Sequence, residues 1–135
     1  MNVEGGCFCK QVRYAATVKD PMKVQCHCRE CQYISGGGPN YSLGISEDSF
    51  TYLQGAVTSY RRADLEAPAS RDFCPHCGTH LASSTPKIPG VIWIKVGTLD
   101  HPEMFEKADL AIFMIDKQPF HDTPTTQSAY ERLPG

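Results

Sequence analysis

The chain carries seven cysteines, and their spacing limits the possible folds more than any other feature. Cys7-Phe8-Cys9 follows Gly5-Gly6, and Cys74-Pro75-His76-Cys77-Gly78 forms a tight C-x2-C turn; between them, Cys26, Cys28 and Cys31 fall within six positions. An odd number of thiols cannot pair completely within one chain. Where thiols stay reduced, such clusters read as metal ligands or catalytic groups. A C-x2-C knuckle aims two thiolates at one point, and the glycine after its second cysteine is free to take a positive φ. A second pair from elsewhere completes a tetrahedron at ~2.3 Å from zinc. Cys7, Cys9, Cys74 and Cys77 are therefore expected to hold a structural zinc that ties the N-terminal strand to the middle of the chain. Four thiolates leave such an ion little Lewis acidity.

The other three thiols, in the pattern C-x-C-x2-C, can converge on one metal from a single loop, yet no fourth cysteine remains for them. Three completions stay open: a position left to water or substrate, closure by a histidine, or a metal-free redox cluster. His27 sits between two of the sulfurs and is poorly placed to reach the same ion, while His80, His101 and His121 are not constrained by spacing. An open zinc site with three thiolates is soft and prefers an incoming sulfur. A substrate thiol there would lose its proton near neutral pH. Cys26, Cys28 and Cys31 are thus the candidate catalytic zinc ligands. Gly36, Gly37 and Gly38 are the candidate substrate-binding backbone, either a close-approach cradle or an ordinary turn. Lys95 either lines the pocket or faces solvent from an edge strand. Asp100 is expected to form a turn, His101 to lie on the surface or to carry a proton at the site, Tyr33 and Tyr41 to pack in the core or to contact substrate beside the glycine loop, and Trp93 to pack in the core.

A length of 135 residues, 41% of them hydrophobic and 21% charged, suits one globular domain spanning residues 1–135. The net charge of −2 and a pI near 6.2 give no basic patch for nucleic acid, and Arg61-Arg62 is the sole adjacent basic pair. No apolar run approaches the ~20 residues of a membrane span, and the N-terminus lacks a secretory pattern. A cytoplasmic location is expected, with no membrane or nucleic-acid partner; a homo-oligomer is possible. Alternation from Val12 to Val18 predicts a half-buried strand. Residues 40–46, 49–54 and 57–62 predict a meander. Residues 91–97 predict a central strand, residues 110–115 another strand, and the polar segment from His121 to Gly135 a tail wrapping the surface. No stretch offers three helical turns, so the class is mainly β.

GGCFCKQVRY at 5–14, CHCRECQYISG at 26–36, FCPHCGTHL at 73–81 and VGTLDHP at 96–102 together resemble the glutathione-dependent formaldehyde-activating (GFA, or centromere-protein-V type) family. The resemblance implies short antiparallel β-sheets, stacked and pinned by zinc, with two zincs per chain. In that family, positions matching Cys7, Cys9, Cys74 and Cys77 hold the structural ion, and positions matching Cys26, Cys28 and Cys31 hold the catalytic one. The implied activity is that of a carbon–sulfur lyase joining glutathione to formaldehyde, or the reverse. The alternative function is a protein-interaction module with two structural zincs. Lys10 replaces the glycine usual after the second cysteine. Ala108, Ala111 and Phe120 stand where proline, histidine and tryptophan are common.

Overall fold

The fold was analysed in a computed structural model that describes residues 1–123 and 128–134. Two sheets carry the architecture. The smaller joins β1 (Asn2–Gly6), β2 (Arg13–Thr17) and β5 (Phe50–Gln54), all antiparallel, with β2 in the middle. The larger has eight strands. Its antiparallel body runs β3 (Met22–Cys26), β4 (Asn40–Ser46), β9 (Ile88–Lys95), β8 (His80–Thr85), β7 (Ser70–Phe73) and β6 (Thr58–Tyr60). Beyond β3, β10 (Leu110–Ile112) and β11 (Ser128–Ala129) add in parallel. One short helix, α1 (Arg29–Ile34), follows β3.

Strand alternation sorts the large sheet into two faces. Leu43 and Ile45 of β4 pair across to Ile94 and Ile92 of β9, and these side chains meet Tyr14, Ala16 and Phe50 of the small sheet to form the core. Burying a Leu or Ile side chain contributes ~1.5–3 kcal/mol, so this shared layer dominates the packing energy. Tyr14 and Phe50 stack at 5.1 Å, and the buried Tyr14 hydroxyl meets Thr98 Oγ1 at 2.8 Å. Gly5 lies so close that a Cβ would strike that hydroxyl and the Thr98 carbonyl, both at 2.3 Å. The opposite face of the large sheet carries the residues one step out of phase: Val24, Ser42 and Lys95 in one cross-strand row, and Gly44, Trp93, Ser83 and Arg71 in the next. Trp93 lies against the backbone of Gly44, where an added Cβ would sit 2.5 Å from the indole Cζ3.

Several expectations need correction. Strands form near residues 40–46, 49–54 and 57–62, but they do not build a meander. β4 is central in the large sheet, β5 belongs to the small one, and β6 is the far edge of the large one. Local spacing reports strands and turns, whereas pairing is set by which apolar face meets which. The strand expected over 110–115 stops at Ile112, because Phe113 takes a left-handed φ of 54° and Met114–Asp116 turns into a 3-10 helix. Lys95 sits on a central strand and is only 8% exposed, so it is no edge lysine. Tyr33 and Tyr41 lie at the surface, at 80% and 43% exposure. The expected surface tail is also partly internal. His121 is buried, β11 closes the parallel edge, and the carbonyls of Tyr130, Glu131 and Arg132 accept from the N–H groups of Met114, Ile115 and Phe113. Residues 124–127 and 135 of that tail lie outside the described residues.

Candidate metal centres

The turn between β1 and β2 presents Cys7 and Cys9, and the turn between β7 and β8 presents Cys74 and Cys77. All four sulfurs lie within 4.8 Å of one another. The Cys7–Cys9 and Cys9–Cys74 separations are 3.5 and 3.8 Å. A tetrahedral ion with ~2.3 Å metal–sulfur distances has edges of about 3.8 Å, so the set fits. Each turn also aims donors at its sulfurs. Val12 N–H donates to Cys7 Sγ at 3.2 Å, and His76 N–H donates to Cys74 Sγ at 3.4 Å. The Thr79 hydroxyl, first, and its backbone N–H hold the Cys77 thiol down to about 5. Gly78 takes the positive φ, 76°, anticipated for a knuckle glycine. Lys10 adopts φ 68° in the other turn, a left-handed conformation that glycine would take without strain.

The second cluster grows from the end of β3. Cys26 closes that strand, Cys28 caps α1, and Cys31 lies in the helix's first turn; their sulfurs also converge within 4.8 Å. Cys28 Sγ accepts from the Cys31 N–H at 3.3 Å. Bonds from the thiols of Cys26 and Cys31 hold Cys28 well below the usual thiol range, while the same contacts and burial push Cys26 above it. Among the described residues, no histidine or carboxylate joins this set. His27 turns away: its Nδ1 meets His121 Nδ1 at 3.0 Å and its Nε2 meets Gln25 Nε2 at 3.2 Å. His121 Nε2 in turn meets the Gly37 carbonyl at 2.7 Å. Gln118 N–H donates to His121 Nδ1, which makes that nitrogen an acceptor and assigns its proton to Nε2. The two histidines brace the cysteine loop from behind. None of the seven cysteines is disulfide-bonded.

The trio opens onto a cavity of about 190 Å³ on the outer face of the large sheet. Lys95 lines it. Its Nζ donates to Ser42 Oγ at 3.2 Å and Ser83 Oγ at 3.1 Å, and among the described residues it forms no ion pair. Burial pulls its ammonium below the ordinary lysine value, and the cysteine thiols work against that pull. Arg71 also lines the cavity and is held by Glu30 at 3.2 Å. Trp93, expected in the core, forms part of the wall.

Gly36, Gly37 and Gly38 are not among the residues lining this cavity. Gly36 and Gly37 take φ values of 76° and 107°, and Gly37 N–H donates back to the Gln32 carbonyl at 2.6 Å. That is the six-to-one bond of a Schellman helix ending. Asp100 makes a bidentate pair with Arg13, at 2.9 and 2.5 Å, and His101 is an exposed partner of Glu103. Lys95 had a usable sequence signal, a lone cation in an apolar run. Ser42 and Ser83 had none, since only strand pairing brings them to it.

A model of the family described as glutathione-dependent formaldehyde-activating enzyme matches residues 2–116. A protein of Halomonas elongata, provisionally named a glutathione-dependent formaldehyde-activating enzyme, is 32% identical over 98 residues, covering 68% of this chain. The match spans 62% of that relative's own length. A crystal structure of a Rhodobacter sphaeroides protein shares the fold at a TM-score of 0.61 and 19% identity, over 72% of this chain and 87% of that one. With four motifs in order and both thiol clusters assembled, the chain belongs to the glutathione-dependent formaldehyde-activating enzyme family.

Proposed function

We propose that the chain is a zinc-dependent carbon–sulfur lyase that joins glutathione to formaldehyde to give S-hydroxymethylglutathione, or runs the reverse. The observation that carries this reading is the three-thiol cluster, with no fourth ligand among the described residues, opening onto the cavity lined by Lys95. Cys7, Cys9, Cys74 and Cys77 would hold one zinc as a staple, and Cys26, Cys28 and Cys31 the other. The second ion, when bound, supplies soft Lewis acidity that favours the thiolate form of an incoming thiol.

The chain's own residues account for the rest. Ser42 and Ser83 fix the Lys95 ammonium and leave its remaining N–H unclaimed by any protein group described. As the sulfur adds to the carbonyl carbon, charge develops on oxygen, and a fixed cation in a sheltered cavity stabilises it more than water would. Arg71 and Lys87, both on the cavity lining, offer charge for the carboxylates of the tripeptide. His27 and His121 hold the cysteine loop in place. Free thiols suit a reducing compartment, and a cytoplasmic location follows from this reading.

The test uses reduced full-length protein loaded with cobalt or zinc. Glutathione should shift the sulfur-to-cobalt absorption band. The zinc form should accelerate glutathione–formaldehyde exchange measured by NMR, and Cys31→Ser should abolish that acceleration. An unmoved band together with uncatalysed exchange rates would sink the proposal.

A further inference from the structure

The cavity is larger and more apolar than formaldehyde requires. Beside the thiols, the serines, Thr85 and the charged Glu30, Arg71, Lys87 and Lys95, its walls include Val24, Leu65, Ile88, Trp93, Ile112 and Phe113. These come from three strands and two loops, so the apolar wall is not the flank of one element. Gly44 leaves room for the Trp93 indole to lie flat against β4. Phe113 holds a left-handed backbone, a conformation that is unfavourable for a bulky residue and tends to occur at functional sites. Formaldehyde has no apolar group for these surfaces to bury. A group the size of benzene occupies a cavity of about 150 Å³; this one, open to solvent on one side, has about 190 Å³.

We propose that, besides formaldehyde, the site accepts and prefers a hydrophobic aldehyde, carrying an aliphatic or aromatic group of about six carbons seated against Trp93, Ile88 and Phe113, with its oxygen at Lys95. The inference rests on the thiol–carbonyl chemistry proposed above and widens its carbonyl substrate. The step balances without an oxidant or reductant. The carbon–sulfur bond forms, the carbonyl π bond opens onto oxygen, and the proton lost by the thiol ends on that oxygen, giving a thiohemiacetal. Arg71 and Lys87 leave the charged arms of the tripeptide a separate place.

Two measurements on the reduced, zinc-loaded full chain test this. Trp93 is the single tryptophan, so its emission reports the cavity directly. Titration with S-hexylglutathione should change that emission and give a Kd at least roughly tenfold below that of S-methylglutathione, since burying two methylenes already yields about that factor. Ile88→Ala, checked for folding by circular dichroism, should erase part of the preference, by roughly threefold or more. In the second measurement, kcat/KM for glutathione with hexanal or benzaldehyde should exceed that with formaldehyde by roughly tenfold. Equal affinity for the two thioethers, or formaldehyde as the better substrate, overturns the inference and leaves the lyase standing. Tight S-hexylglutathione binding without turnover of any aldehyde overturns both the lyase and the identity of the occupant.

Discussion

The two cysteine clusters use the same ligand chemistry and differ in what surrounds it. In the four-sulfur cluster every corner of a tetrahedron is a protein thiol, contributed by two turns that lie 65 residues apart in sequence at Cys9 and Cys74. Cys9 and Cys77 are at the surface, Phe8 between the first pair is 90% exposed, and none of the four cysteines lines a described cavity. The trio comes from one continuous segment on the outer face of the large sheet, beside a buried cation and an apolar wall. Long sequence separation suits a staple, because holding distant segments together restricts the unfolded chain most. Short separation suits a reaction site, because three ligands from one loop leave one side free.

The contrast predicts opposite consequences for cysteine loss. Cys74→Ser should destabilise the protein by about 4 kcal/mol, the scale expected when a cross-link closing a loop of this length is lost, read by urea denaturation. Cys31→Ser should cost far less stability while removing at least ~10³-fold in kcat/KM. Equal destabilisation by the two variants would break the distinction. Next in size, Lys95→Met should lower kcat/KM by ~10²–10³-fold, yet leave stability unchanged or raised, since an ammonium lacking an ion partner is replaced by apolar bulk. A loss of stability in parallel with activity would make Lys95 a structural residue.

Two smaller effects sharpen the picture of each site's support. Gly44→Ala forces the Trp93 ring off the sheet, with an expected cost of about 2 kcal/mol and an altered Trp93 emission. Lys10→Gly, in the turn of the four-sulfur cluster, relieves a left-handed backbone and should stabilise by about 0.5–1 kcal/mol after the added unfolded-state entropy is counted. Thermal melts of the metal-loaded protein check both.

Much of the scaffold could be read before any coordinates. The partition of seven cysteines into four and three follows from spacing, since C-x-C, C-x2-C and C-x-C-x2-C are local geometries that survive in any fold. The strand expected at Val12–Val18 forms over Arg13–Thr17, and the central strand expected over 91–97 forms as Ile88–Lys95 with Val96–Thr98 turning into a 3-10 helix; both are legible because burial imposes alternation or a continuous apolar run. The glycines after the trio admit two readings, a substrate cradle or an ordinary turn. Gly36 and Gly37 take positive φ, but whether such a turn faces a ligand or ends a helix depends on the carbonyl it caps, here that of Gln32. The meander failed for a related reason, because neighbouring strands in sequence went to different sheets to cover a common core.

What the sequence alone determined is the chemistry: seven thiols in two sets, a mainly β chain, and a cation in an apolar strand. Each of those properties is encoded in short local patterns of the sequence. Tertiary structure alone decided what the second set faces. Register across β3, β4, β9 and β8 brings Cys26, Ser42, Lys95, Trp93 and Ser83 to one side of the sheet. A shift of one residue would have turned any of those strands' side chains to the other face.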